Sequence, residues 1–263
     1  MRTLQKHVLS AVAACVVGLG ANPASAEVVQ LGFILDSSGS IGTGGWSIMK
    51  NGLASAMNIL LSGADQYEVT VVSFSNVANT VLAPTIVTSA NLASVQSTIQ
   101  GASFLNSTTN YDAAFTLMTS NLTGSSNFSK GGKSYVNFAT DGEPNLCNSG
   151  HGSDGWICGV NARNAMINAG IDIISIEGIG TTAATASDLK SKICYPGPCD
   201  DTAPYAFPGQ GFYIAVANPQ GYADAIGNKI RIVTNQVPEP GSVALVGLAL
   251  AGLGLMRLRR PTA

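Results

Sequence analysis

Charge is scarce in this 263-residue chain: only 11% of its residues are Asp, Glu, Lys or Arg. Between residues 27 and 236, eight basic residues stand against fourteen acidic ones, a formal charge of −6. That balance leaves no basic patch for nucleic acid. Histidine is nearly missing, with only His7 and His151 in the whole chain. A histidine-rich zinc cluster is therefore excluded, and a Ser/His/Asp hydrolase would have to use His151 as its base. No sequence repeat occurs. No uninterrupted apolar run reaches the ~18–20 residues that span a bilayer comfortably.

The two ends differ from the rest. Residues 1–26 form a signal-peptide pattern: Arg2 and Lys6, an apolar run from Val8 to Leu19, and the small-residue stretch Ala24-Ser25-Ala26. At the other end, Val237-Pro238-Glu239-Pro240 precedes an apolar run from Gly241 to Met256, followed by Arg257, Arg259 and Arg260. This tail, residues 237–263, resembles the PEP-CTERM sorting signal of Gram-negative bacteria. The resemblance implies export across the inner membrane, transient membrane insertion of the tail, and processing by an exosortase after signal peptidase. It places the mature C-terminus near Pro238–Pro240 and the product at the cell surface, in the extracellular matrix or secreted. Of five cysteines, Cys15 leaves with the signal peptide. The others fall into two close pairs, Cys147/Cys158 and Cys194/Cys199, and an oxidising compartment favours two local disulfides over a metal cluster.

Residues 27–236 alternate strand-length apolar runs with helix-length periodic segments. Strands are expected over Val28–Leu35, Tyr67–Phe74, Val77–Val87, Tyr135–Thr140, Ile171–Ile179 and Gly211–Val216. Helices are expected over Trp46–Leu61, Ala90–Ile99, Asn110–Leu122, Val160–Ala169, Ala183–Ile193 and Pro219–Val233. The pattern describes a three-layer, doubly wound α/β domain: a mostly parallel six-stranded sheet, helices on both faces, and one antiparallel edge strand made by a hairpin at Ser75-Asn76. In such folds a ligand site lies beyond the carboxyl ends of the strands, where strand order reverses.

Three sequence features meet at that rim. The first strand ends in Asp36, followed at alternate positions by Ser38 and Ser40. Thr109 stands before a helix, and Asp141 follows the strand Tyr135–Thr140. Small oxygen donors of this kind suit a hard divalent cation and suit zinc poorly. Each feature taken alone also fits a turn or a helix cap. Together, Asp36-x-Ser38-x-Ser40, Thr109-x-Tyr111-x-x-Ala114-Phe115 and Thr140-Asp141-Gly142 resemble a von Willebrand factor type A (VWA) domain with a metal-ion-dependent adhesion site. Tyr111 replaces the family's usual second Thr, and Thr108 is a substitute for Thr109. The resemblance implies five shell residues, Asp36, Ser38, Ser40, Thr109 and Asp141. It further implies a divalent metal, Mg²⁺ first and Mn²⁺ or Ca²⁺ next, and a sixth position completed by an acidic group of a partner. The expected partner is a protein or an acidic polysaccharide.

Trp46, Tyr111, His151 and Trp156 are expected around the ion as a ligand rim, with Phe104 nearby. Asp112 fits the first turn of a helix for electrostatic reasons, and Glu143 fits a solvated position. Two enzyme classes are disfavoured. A haloacid-dehalogenase-like phosphatase needs an Asp-x-Asp pair, and Ser38 cannot act as its general acid. A serine hydrolase needs a Gly-x-Ser-x-Gly elbow that Ser38 lacks. A structural matrix protein is the remaining alternative to a metal-dependent, non-enzymatic binding module.

Overall fold

The computed structural model describes residues 28–62, 65–148 and 154–234. Residues 1–26, expected to be a signal peptide, the tail 237–263 and His151 lie outside the described residues. Six strands, β1 (Val28–Asp36), β2 (Gln66–Phe74), β3 (Ala78–Ile86), β4 (Lys133–Thr140), β5 (Ile173–Ile179) and β6 (Tyr213–Val216), make one sheet in the order β3-β2-β1-β4-β5-β6. All neighbours run parallel except β3, which pairs antiparallel with β2 at the edge. The ladder between them is irregular around Val71, and β3 holds Pro84, a residue that an edge strand tolerates because one side needs no donor. Among the described residues six α-helices flank the sheet: α1 (Gly42–Ala56), α2 (Leu92–Gln100), α3 (Tyr111–Thr123), α4 (Gly155–Ala169), α5 (Ala183–Asp188) and α6 (Tyr222–Val233).

The continuous apolar character of β1 is explained by burial on both sides. Leu31, Phe33 and Leu35 pack into the cluster formed with α1, α2 and α6, while Ile34 joins Val136, Phe138 and the inner faces of α3 and α4. Among the described residues, no helix is long and apolar enough to cross a membrane. The disulfides form as Cys147–Cys158 and Cys194–Cys199, with Cα–Cα separations of 5.7 and 5.5 Å.

Helix starts differ most from expectation. α1 begins at Gly42 instead of Trp46, because its first turn is glycine-rich and carries no apolar period. α4 begins at Gly155 instead of Val160, because Asp154 caps it, its carboxylate accepting from Trp156 N and Ile157 N at 2.9 and 3.1 Å. Those earlier starts matter for the rim, since Trp46 then lies inside α1 instead of at its first residue, and Trp156 belongs to α4 and not to a loop.

Candidate metal centre

Chain order reverses between β1 and β4, whose carboxyl ends carry Asp36 and Asp141. Asp36 is fully buried, and its Oδ1 accepts the backbone N–H of Ser38 at 2.8 Å. This Asx turn bends the chain out of β1. Gly42, with φ of +69°, then turns it into α1, a backbone conformation that side-chain-bearing residues resist. No side chain caps α1. The Ser38 and Ser40 hydroxyls are used on one another instead, at 3.1 Å, and Ser40 Oγ donates to Asp141 Oδ1 at 2.8 Å. Four of the five expected shell residues therefore form one connected set, with Asp36 joined to it through the Ser38 backbone.

Thr109 reaches the rim through its main chain. The preceding loop is stitched to the β1 turn by Gly39 N to Ser107 O at 2.8 Å and Asn106 N to Ser37 O at 3.0 Å. Thr109 N donates to Asn145 Oδ1 and Asn145 N to Thr109 O, both at 2.9 Å, which fixes it beside the segment that follows Asp141. Its hydroxyl makes no hydrogen bond to the other four. Nor does it cap α3, because Asn110 does so, accepting from Ala113 N at 3.1 Å. The hydroxyl is thus free of the local duty that a threonine before a helix usually has.

Several supporting residues had no role assigned to them by the sequence pattern. Thr140 donates to Asp36 Oδ2 at 2.6 Å and so orients the buried carboxylate across the β1–β4 boundary. Ser37 Oγ accepts from Leu105 N at 2.9 Å. Ser75 Oγ donates to Thr108 O and accepts from Ser107 N, each at 2.9 Å. Only the folded arrangement of the rim loops and of β1 beside β4 reveals these roles. Thr140 alone had a signal, as the residue leading into Asp141.

The expected ligand rim is largely corrected. Trp46 is buried in the α1 side of the core, with its indole N–H donating to Ala102 O at 3.1 Å. Tyr111 is fully buried, donates to Gly142 O, and packs edge-on to Phe138 with ring centroids 4.7 Å apart. It therefore supports the Asp141 turn from beneath. An added Cβ on Gly159 would stand 2.8 Å from Tyr111 Cβ, so that glycine is what lets α4 close over the ring. Trp156 is half-buried against Tyr111, and Phe104 is partly buried against the core. Asp112 accepts from Asn148 N at 3.1 Å, and Glu143, exposed, accepts from Thr185 Oγ1 at 3.0 Å.

Electrostatically the site is short of positive charge. Burial is the main cause that pushes Asp36 up to about 6, against hydrogen bonds from Ser38 and Thr140 that pull it down; the nearby Asp141 adds to the rise. Burial also raises Asp141, opposed by the Ser40 hydrogen bond. Among the described residues neither carboxylate is ion-paired with a cationic side chain. The donor set fits a small hard cation. Adjacent ligands of an octahedral Mg²⁺ at 2.0–2.1 Å lie roughly 3 Å apart. The Ser38–Ser40 and Ser40–Asp141 oxygen separations are 3.1 and 2.8 Å. No group of three His, Cys, Asp or Glu side chains suited to a metal occurs among the described residues, so any ion here rests on hydroxyls as well as carboxylates.

The segment after Asp141 is held at its far end by the Cys147–Cys158 bridge to α4. Replacing both cysteines by serine is expected to cost about 2–3 kcal/mol in stability, the size set by the short closed loop. It should also speed amide exchange at Asn145 and Leu146, whose N–H groups bond to Thr109. Unchanged exchange there would show that the bridge does not hold this segment.

Fold and site together define a doubly wound α/β domain with an all-oxygen cluster at its switch point. The chain belongs to the von Willebrand factor type A domain family, whose model matches residues 30–192. The PEP-CTERM protein-sorting motif matches residues 236–260. No curated protein sequence matches the chain. Among solved structures, the pilus adhesin SpaC from Lactobacillus rhamnosus GG is similar with TM-score 0.60 and 13% identity, over 80% of this chain and 31% of that one. The PilB minor pilin from Streptococcus sanguinis is similar with TM-score 0.58 and 16% identity, over 82% and 64%. Proximal thread matrix protein 1 from the mussel byssus, solved with a zinc-occupied MIDAS motif, gives TM-score 0.54 and 14% identity, over 80% and 48%. The chain therefore spans less than two thirds of each of these structures, and at such identities the likeness is one of fold.

Proposed function

We propose that this protein is an exported, non-enzymatic binding module that takes an acidic group of a partner through a divalent cation. The cation, Mg²⁺ by preference and Mn²⁺ or Ca²⁺ otherwise, would be held by Asp36, Ser38, Ser40, Thr109 and Asp141. When bound, it supplies a positive charge with few carboxylates around it, and that charge attracts an external carboxylate. The observation that carries this reading is the buried Asp36 and the half-buried Asp141, with no cationic side chain paired to either among the described residues, linked through serine hydroxyls at separations fitting an octahedral edge. The structure with a zinc-occupied metal motif supports a divalent ion in this fold without fixing its identity here. The sorting motif supports export, signal peptidase and exosortase processing, and a final place at the cell surface or in the matrix.

Binding to extracted extracellular matrix material should require Mg²⁺ and be lost with a chelator. Binding that survives chelation would favour the structural-matrix role instead. The proposed site also has a signed pH dependence. Asp36, at about 6 when folded, lies above its ordinary value of 3.8, so the proton is favoured and a cation must displace it. Mg²⁺ affinity measured by calorimetry is expected to weaken about tenfold between pH 7.5 and pH 5, as the group protonates. A constant affinity over that range would contradict the role given to Asp36.

A further inference from the structure

Among the described residues, large hydrophobic side chains are exposed at Leu61, Val77, Leu146 and Ile157. Three of these four stand on the α3/α4 side of the metal centre. Leu146 N donates to Thr109 O at 3.2 Å, one residue contact from the proposed shell. Its neighbour Cys147 is bonded to Cys158, which follows Ile157, so the disulfide ties the segment that carries Leu146 to the first turns of α4, which carry Ile157. Val77 leads into β3 from the turn whose Asn76 carbonyl accepts from Asn110 Nδ2 at 3.1 Å; the same amide donates to Asn148 Oδ1 at 3.0 Å. Between Val77 and α3 runs a groove of about 430 Å³, with Ala78, Ala113 and Leu117 along it. Val77 and Ile157 are each about half exposed, at 50% and 53%.

Single exposed hydrophobics are ordinary; convergence of most of them on one edge of one site is not. Interface cores are made this way, apolar and poor in charge. We propose that Val77, Leu146 and Ile157 form the docking arc for a protein partner, one that presents a Glu or Asp flanked by large apolar side chains. The inference rests on the metal-dependent reading above and narrows it. The arc gives apolar flanks a surface to bury, and a polysaccharide chain has no such side chains. Charge points the same way. The domain carries a formal −6 between residues 27 and 236, so a polyanion would bring many repelled charges to one cation. A single carboxylate in an apolar frame brings only the charge that the cation neutralises.

The test is a display library of nine-residue peptides with a fixed central Glu and random flanks, panned on the exported protein in Mg²⁺ and eluted with EDTA. Recovered flanks should be enriched in Leu, Ile, Val, Phe and Met. The triple variant Val77→Ser, Leu146→Ser, Ile157→Ser should bind the best peptide at least about tenfold more weakly, yet keep the Mg²⁺-induced rise in melting temperature, which shows that it folds and loads metal. Recovery of no EDTA-eluted peptide, flanks without apolar enrichment, unchanged affinity of the triple variant, or competition by alginate at equal carboxylate concentration overturns the docking arc. Absence of any Mg²⁺-induced rise in the wild type overturns the arc together with the metal reading, and that outcome is separable because it needs no peptide.

Discussion

Asp36→Asn is expected to raise the melting temperature of the metal-free domain while abolishing the rise that Mg²⁺ produces in the wild type. Both halves come from the same buried carboxylate. Desolvation lifts Asp36 from 3.8 to about 6, so at pH 7.5 the folded state carries an ionised group where a neutral one would be more stable. Two pKa units correspond to about 3 kcal/mol. The sign follows from the raised value: the cost is absent below the unfolded pKa and present in full above the folded one. Asparagine keeps the shape and the Ser38 N–H contact, and its amide can donate to Thr140 Oγ1, which would then turn toward Gly142 O, 3.4 Å away. A gain of roughly 6–12 °C would follow at the 2–4 °C per kcal/mol usual for this size. In the wild type, a cation at 100 times its dissociation constant adds about 2.7 kcal/mol, again roughly 5–10 °C. The variant lacks the charge that holds the ion, so calorimetric scans with and without Mg²⁺ should superimpose. An undiminished Mg²⁺ response in Asp36→Asn would take this residue out of the site.

What could be read from the chain alone, and what could not, divides along physical lines. Strands were legible because the apolar runs that end β1 and β4 stop abruptly at a polar rim, so Asp36 and Asp141 announce themselves. The switch point followed from the alternation of strands and helices. Helix starts were less legible: Gly42 and Gly155 give no apolar period, and the caps Asn110 and Asp154 decide the boundaries by hydrogen bonds. That error put Trp46 at the first helical position, beside the rim, whereas it lies about one turn inside α1 on its buried side. Tyr111 follows Asn110 as the first residue of α3 and turns inward, because Phe74, Phe138 and Trp156 enclose its ring. Thr140 acts on Asp36 across two strands distant in sequence, a relation that only the register of β1 against β4 creates.

The same limit applies to the most consequential charged pair in the core. Lys229 on α6 lies 3.0 Å from Glu177 on β5, both almost wholly buried, and its ammonium donates to Asn137 Oδ1 on β4. Burial depresses Lys229 to about 8 even though Glu177 pulls it upward, and burial raises Glu177 against the pull of Lys229. Desolvation thus outweighs attraction on each side, so the pair holds α6 to the sheet in a fixed register while adding little net stability. Truncating one member is a different matter, since it leaves the other charge buried alone. Lys229→Met is expected to cost about 3–5 kcal/mol, a fall of roughly 10 °C or more in melting temperature. Adding Glu177→Gln to that variant should recover most of the loss, because the stranded carboxylate is then neutral. The four melting curves of this double-mutant cycle measure the coupling directly. If Lys229→Met and Glu177→Gln are each mild and simply additive, the two groups are not coupled, and α6 is held by its apolar face alone through Ile226 and Ile230.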